Sequence, residues 1–489
     1  MSGEDSGLFT DFYSLTMAQG YWKRKMNHRA VFEMFFRSQP FGGGFSIFAG
    51  LGTLLEKLKG FAFSPDDLAY LDGLGIFEDG FLDYLKGFRF SSSLWAMEEG
   101  TIVFPNEPLI RVDGGLIECQ IIEGLLLNTV NFQSLIATKT ARVWLASGRG
   151  DVLEFGLRRA QGRDGAVSAS RAAYIGGVSG TSNVLAGKKF GIPVFGTMAH
   201  SWVMAWPSEE EAFRAYAEIY PDKTTLLIDT YDTLKSGVVN AIKVGKELAA
   251  KGKGFGVRLD SGDIQYLSME VRKRLDAAGL RDASISVSNE LDESIIQALR
   301  DGDAPINAWG VGTRMVTGGS DSAFTGVYKL AASEDTKGSL RAAMKLSDNP
   351  QKTTNPGVKQ VWRVKDADGM YIADVLALEE SGNPEGSGIG EKIEVGKTYS
   401  FWHPSADYRH FMHTIEGSVE PLLARRLVDG KDEGTTVGLK EIRSHVAHGL
   451  DMLDQSYKRL LNPHIYKVSV TERLRALKLE QIKHYLGEL

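Results

Sequence analysis

The chain has 489 residues, 24% of them charged and 43% apolar, with a formal net charge of −6. Such a composition describes an ordinary globular protein of two to four domains with ample material for a core. It argues against a general nucleic-acid or membrane-surface role, where a basic excess is expected, while leaving room for a small polyanionic ligand held by a few arginines. Cys119 is the single cysteine, so there is neither an intrachain disulfide nor a cysteine-based zinc spacing. The start, "MSGEDSGLFTDFYSL", has no basic segment or long apolar run, and no span of eighteen apolar residues follows. The expected compartment is the reducing cytoplasm.

Residues 1–145 mix helix and strand signals. "DFYSLTMAQGYWKR" spaces Leu15, Ala18 and Trp22 as a helix, with Thr10 or Asp11 as N-cap. "AVFEMFFRS" (30–38) alternates like a strand, and "PFGGGFSIFAGL" is a glycine-rich turn before an apolar element. "LWAMEEGTIVFPNEPLIRVDG" reads as short strands between turns, and Leu116 to Trp144 as one or two apolar helices.

From 146 to 330 short apolar runs end in chemically capable residues. They are "VLEFGLRR" (152–159), "IPVFGTMAH" (192–200), "TTLLIDTYD" (224–232), "GFGVRLDSGD" (254–263), "ASISVSNELD" (283–292) and "INAWGVGTRM" (306–315). Helical stretches separate them, which means a parallel sheet. Functional groups at every strand end favour a (β/α) barrel, whose strand ends share one mouth, over a doubly wound sheet, which stays open as an alternative. In 331–489, "GVYKLA" (326–331, straddling the boundary), "KQVWRV" and "MYIADVLAL" look like antiparallel strands separated by turns such as "SDNPQKTTNPG" and "SGNPEGSG". The tail "SVTERLRALKLEQIKHYL" is helical, with Ser469 and Glu472 as a capping box and Leu474, Leu477 and Ile482 on one face. The expected fold is α/β: an irregular (β/α) barrel flanked by a mixed α+β domain that combines the N-terminal segment with the C-terminal strands.

The strand ends offer Arg158, Arg159, Thr197, His200, Asp229, Asp232, Arg258, Asp260, Ser261, Asp263, Asn289 and Thr313. Arginines supply forked donors for phosphate or carboxylate, and aspartates suit Mg²⁺, so the mixture describes a site for a metal-complexed phosphorylated substrate. In "GVGTRMVTGGSDS" (310–322) Gly310 and Gly312 free backbone N–H groups to approach phosphate, with Thr313 adding a hydroxyl; a simple turn is the other reading. "VRLDSGD" is either an internal Arg–Asp pair holding a loop or a site in which Arg258 binds an anion and Asp260 or Asp263 binds metal or ribose. Arg158, Arg159 and Arg163 form either a phosphate-binding group or a solvated basic patch. His200 alone would read as a half-buried histidine satisfied by backbone. His403, His410 and His413 match no zinc spacing and read as part of an exposed turn.

The segments "TDFYSLTMAQGYW", "FEMFFRSQPFGGGF", "EFGLRRAQGRDG", "SNVLAGKKFGIPVFGTMAHSW", "LLIDTYDTLKSGVVNAI", "GVRLDSGD", "VSNELDE", "GVGT", "GVYKL" and "EPLLARRLVDGK", in this order, resemble the nicotinate phosphoribosyltransferase family. The resemblance implies transfer of a phosphoribosyl group from phosphoribosyl pyrophosphate to nicotinate, with pyrophosphate as the other product. It also implies coupling to ATP through phosphorylation of His200, Mg²⁺, and a homodimer with a shared active site. Tyr13, Thr197 and Arg258 match nicotinate-binding positions. Arg158, Arg159, Ser261, Gly262, Gly310, Gly312 and Thr313 are assigned to phosphoribosyl pyrophosphate, and Asp260 and Asp263 to Mg²⁺. A transferase for nicotinamide or quinolinate, a sugar-phosphate isomerase or aldolase, and an inactive ligand-binding protein are the competing readings. The segment "HPSADYRHFMH" (403–413) is left without a role.

Overall fold

The computed structural model describes residues 6–349, 352–379, 391–406, 408–434 and 437–487; the expected turn at 381–388 lies outside them. The chain forms two compact units, Met1–Leu135 with Ala323–Leu489, and Ile136–Ser322.

The first unit interleaves the two ends of the sequence. Its seven-stranded sheet runs Leu340–Ala342, Gly326–Glu334, Arg29–Phe36, Ile110–Gly115, Ser93–Ala96, Ala424–Val428 and Lys431–Asp432. Arg29–Phe36 sits centrally, antiparallel to both neighbours. Its residues are buried on both faces instead of alternating, because helices such as Phe12–Lys23 and Leu116–Ile121 are packed into the same apolar core. A second sheet has the order His410–Thr414, Thr398–Trp402, Lys467–Thr471, Tyr371–Leu378, Lys359–Lys365 and Ser418–Pro421. His410 and His413 lie on the second strand of a β-hairpin, whereas His403 and the other described residues before His410 lie in the connection between its strands, so the expected turn holds for only part of the segment. In the tail, Thr471 rather than Ser469 caps the helix Glu472–Leu486, accepting the Leu474 N–H at 3.3 Å. Ser469 is buried in the preceding strand, where its hydroxyl cannot serve a helix that starts later.

The second unit is a parallel sheet of order Gly180–Thr181, Asp151–Glu154, Ala308–Val311, Ser284–Asn289, Gly256–Leu259 and Thr225–Leu227. Val194 adds an isolated parallel bridge to Thr181. Read in a ring, these segments follow one another in sequence order, which is barrel connectivity and excludes the doubly wound alternative. Only the junction between the Val194 segment and Thr225–Leu227 lacks a ladder. The expected strand over 192–200 is thus one bridge followed by irregular chain and the short helix His200–Met204. Pro193 has no N–H to donate, and beyond Phe195 the chain bonds to side chains instead. The two-residue strand Gly180–Thr181 was invisible in the sequence because it is too short to show a period.

Helices pack between the strands and start at side-chain caps: Asn183, Ser208, Asp263 and Asp292 each accept from a backbone N–H of the following turn. Gly237 opens the helix Val238–Ala250 directly beneath the Ile228 carbonyl, where an added Cβ would lie 1.8 Å from that oxygen. Gly237→Ala should therefore cost at least about 1–3 kcal/mol and lower the thermal midpoint, and an unchanged melting curve would contradict this packing.

Candidate active site

Four strands of the second unit end level with one another, and Gly256–Leu259 and Thr225–Leu227 stop slightly short of them. Glu154 pairs with Thr181 and Val311, Val311 with Asn289, and Leu259 with Val287. The residues that follow each strand therefore gather at one edge of the sheet, the C-terminal edge where parallel α/β folds place their chemistry.

Arg258 lies near the end of Gly256–Leu259, the last strand but one in the sheet order. Its Nη1 donates to Thr197 Oγ1 at 2.5 Å and to the Met198 carbonyl at 3.3 Å. Its Nη2 lies 3.9 Å from Asp260 Oδ1, and its Nε is buried with no acceptor. Burial pushes the guanidinium pKa down, against the pull of Asp260 and Asp229, and nearby Arg158 pushes the same way. What remains unbonded is the side-on edge, Nε with Nη2, the edge that grips a carboxylate through two parallel hydrogen bonds.

His200 opens its short helix. Its Nδ1 lies 3.1 Å from Thr230 Oγ1 and its Nε2 3.7 Å from Asp260 Oδ2. The other oxygen of Asp260 accepts from the Ser288 hydroxyl. Asp229 Oδ2 accepts from the Asp260 N–H at 3.1 Å and from Ser261 Oγ at 2.5 Å, whereas its Oδ1 is buried without a partner. Thr197, His200, Arg258, Asp260 and Ser261 thus form one bonded group, joined by Asp229, Thr230 and Ser288.

Other expected residues have different surroundings. Asp263 caps the helix Ile264–Ala277, accepting the Tyr266 N–H at 3.0 Å. Gly262 has φ +80°, the turn that lets strand pass into helix. Gly310 lies within its strand, where a Cβ would meet the Phe155 ring at 2.7 Å, so close packing accounts for it. Gly312 precedes Thr313, whose hydroxyl donates to Glu290 Oε1 at 3.2 Å. Asn289, at its strand end, holds φ +132°, a strained value for a non-glycine residue. Arg158 and Arg159 are exposed on the turn after Asp151–Glu154. Tyr13 belongs to the first unit. It is about half exposed on the helix Phe12–Lys23, and partial burial followed by Glu123 raises its phenol pKa.

Four contributors carried no assigned role in the sequence. Asp229 was visible only as a strand-end residue. Thr230 and Ser288 are ordinary hydroxyls whose partners lie 30 and 28 residues away. Glu154 is fully buried and accepts from the Gly156 N–H, from Ser170 Oγ at 2.9 Å and from Thr181 Oγ1 at 2.5 Å. It anchors the turn that carries Arg158 and Arg159. Among the described residues no cluster of three or more His, Cys, Asp or Glu side chains could hold a metal, and no helix is long and apolar enough to cross a membrane.

Family models for the N-terminal domain of nicotinate phosphoribosyltransferase, for the nicotinate phosphoribosyltransferase family and for its C-terminal domain match residues 8–131, 151–278 and 358–478. The nicotinate phosphoribosyltransferase of Bacillus subtilis is 42% identical over 97% of this chain and 95% of its own. The chain belongs to the nicotinate phosphoribosyltransferase family. It is similar also to a nicotinate phosphoribosyltransferase of Mycobacterium tuberculosis, 46% identical over 76% of this chain and 78% of the other. The crystal structure of human nicotinic acid phosphoribosyltransferase superposes with a TM-score of 0.83, covering 96% of this chain and 99% of that one at 31% identity. This family member is accordingly an enzyme, and the expected α/β class holds.

The Glu154 hub can be tested directly. Glu154→Gln replaces one acceptor oxygen by a donor that would face other donors. It should cost about 1–3 kcal/mol and speed amide exchange in the 155–159 turn, with exchange elsewhere in the sheet unchanged.

Proposed function

We propose that the chain transfers the phosphoribosyl group of phosphoribosyl pyrophosphate to nicotinate, and that it couples this to ATP through His200. The observation that carries the reading is the unbonded Nε–Nη2 edge of Arg258, desolvated and held in place by Thr197. A carboxylate satisfies both donors and balances the charge, whereas the amide of nicotinamide supplies a single neutral oxygen and brings N–H donors of its own.

The chemistry asks little covalent work of the protein. The pyridine nitrogen uses its own lone pair to form the bond to the anomeric carbon. The bond from that carbon to pyrophosphate breaks, and its electron pair leaves on oxygen. No proton is removed, so no general base is required. Arg258 orients the acid, and Arg158, Arg159, Ser261, Gly262, Gly310, Gly312 and Thr313 are the proposed contacts to phosphoribosyl pyrophosphate. Mg²⁺, when bound, supplies charge neutralisation at the leaving group. The unpartnered Asp229 Oδ1 and neighbouring Asp260 would hold such an ion. Asp263, already a helix cap, is the weaker of the two ligands first expected.

Asp260 facing Nε2 favours the His200 tautomer with its proton on Nε2, so that Nδ1 keeps a lone pair and accepts from Thr230. In this reading Nδ1 takes the γ-phosphoryl group of ATP. The Nδ1–P bond forms, the bond to ADP breaks, and Asp260 balances the imidazolium charge. The added negative charge then biases the site toward tight substrate binding. The enzyme is proposed to work in the cytoplasm as a homodimer, in which Tyr13 of one subunit stacks on the pyridine ring at the barrel mouth of the other. The half-exposed Tyr13, beside exposed Phe9, Phe12 and Met17, supports that arrangement.

Four measurements check the proposal. His200→Ala should abolish ATP stimulation and leave slow ATP-independent turnover, and wild-type protein incubated with ATP should carry acid-labile phosphate within residues 195–206. Unchanged stimulation in the variant refutes the role of His200. Arg258→Lys should raise the KM for nicotinate by about 10- to 150-fold while narrowing the preference over nicotinamide; an unaltered preference removes Arg258 from carboxylate recognition. Mixing Tyr13→Ala chains with His200→Ala chains, each lacking ATP-stimulated turnover, should restore that turnover in heterodimers, an outcome that independent active sites forbid.

A further inference from the structure

The first unit contains a cavity of about 600 Å³ that no residue of the parallel-sheet unit lines. It lies against the hairpin formed by Thr398–Trp402 and His410–Thr414 and against the strand Lys467–Thr471. The cavity is lined by Arg409, Arg459, Lys467, His403, His410 and His464, and no carboxylate among the described residues lines it. That is six nitrogen bases in one recess of a chain whose net charge is −6. Arg409, Arg459 and Lys467 are three cations with no counter-charge lining the cavity among the described residues, and a bound anion would relieve their repulsion. Burial, then Arg409 and Lys478, push the His403 pKa below its ordinary value, consistent with a strongly positive surrounding.

The donors are held but not used up. The Arg409 guanidinium has no hydrogen bond among the described residues, and Arg459 spends only Nε, on the Ser456 carbonyl at 3.3 Å. The Lys467 ammonium sits 4.8 Å over the Phe411 ring, a cation–π contact that leaves its N–H donors available. The walls are built. His410 stacks on Trp402 with centroids 4.6 Å apart, and the His464 N–H bonds to the Ser456 carbonyl at 2.9 Å. Asn462 turns the chain there through a left-handed conformation at φ +45°. Beside the cations stand Phe411, Ile465 and two prolines, Pro404 and Pro463. Ile465 is 83% exposed, an apolar side chain offered to solvent next to a basic cluster.

We propose that this cavity is a second binding site, separate from the transfer chemistry, for a nucleotide-sized organic phosphate. Its phosphates would meet Arg409, Arg459 and Lys467, and its apolar part would lie against Phe411 and Ile465. The volume suits such a ligand. The inference gives a function to the 403–413 segment that the transferase reading leaves idle, and it does not rest on that reading.

The test is calorimetric titration of the full chain with ADP, pyrophosphate and adenosine. Wild type should bind ADP in two classes. Arg409→Ala with Arg459→Ala should lose one class, weakening it at least about tenfold, with turnover within about twofold of wild type. Arg258→Lys should keep that class unchanged, so that failure of the barrel reading and failure of this one are told apart. Lys467→Gln provides an independent variant with a smaller loss. Competition by pyrophosphate for the same class supports phosphate recognition. An isotherm unaltered by the Arg409 and Arg459 substitutions, or adenosine binding there as tightly as ADP, overturns the proposal.

Discussion

Arg258 closes the curled sheet, and closing it strips the guanidinium of water. The parallel ladder stops between the Val194 segment and Thr225–Leu227, and the gap is spanned by side chains: Arg258 to Thr197 and the Met198 carbonyl, and His200 to Thr230. A buried guanidinium is costly unless its donors are met. Here Thr197 and Met198 meet one nitrogen, Asp260 lies at ion-pair distance, and Nε is left over. The same residue bridges the gap in the sheet and keeps one buried donor without an acceptor.

The surrounding residues follow from that constraint. Asp229 accepts from the Asp260 backbone and from Ser261, holding the loop that presents Asp260 between Arg258 and His200. Glu154 does comparable work at another strand end of the same sheet, where three donors converge on one buried carboxylate. Hydrogen-bonded turns at strand ends hold these charged groups, and phosphoribosyl transfer as a class of chemistry relies on orientation and charge more than on proton transfer.

The first unit shows a different use of buried charge. Arg363 and Asp374 are fully buried, joined at 2.9 and 2.6 Å, and Tyr466 adds a hydrogen bond to Asp374 at 3.2 Å. Neighbouring Glu107 is driven well above the ordinary carboxylate range, by burial first and by Asp374 second. The Arg363–Asp374 pair is bonded within the protein, although Glu107 Oε2 is buried without a partner. The Arg409 cavity has no such carboxylate among the described residues that line it.

Much of the site was legible before the fold was known. Arg258, Asp260 and Ser261 are contiguous in "VRLDSGD", Thr197 and His200 share "FGTMAH", and short apolar runs ending in such residues already implied a parallel sheet with its chemistry at one edge. These are local signals, set by periodicity and by the cost of placing charge beside apolar chain. What needed three dimensions was partnership across sequence distance. Thr230 serves His200, Ser288 serves Asp260, and Glu154 gathers Ser170 and Thr181, although a serine or threonine carries no sign of its partner. The missing strand at 192–200, the packing role of Gly310 and the helix cap at Thr471 were likewise decided by neighbours distant in sequence or by where a strand happened to end. The sequence by itself determined which groups were available and roughly where the chain would turn. Only the tertiary structure decided which of them would bond to one another and which would be left for a ligand, because hydrogen-bond satisfaction depends on the whole surface that meets at a point.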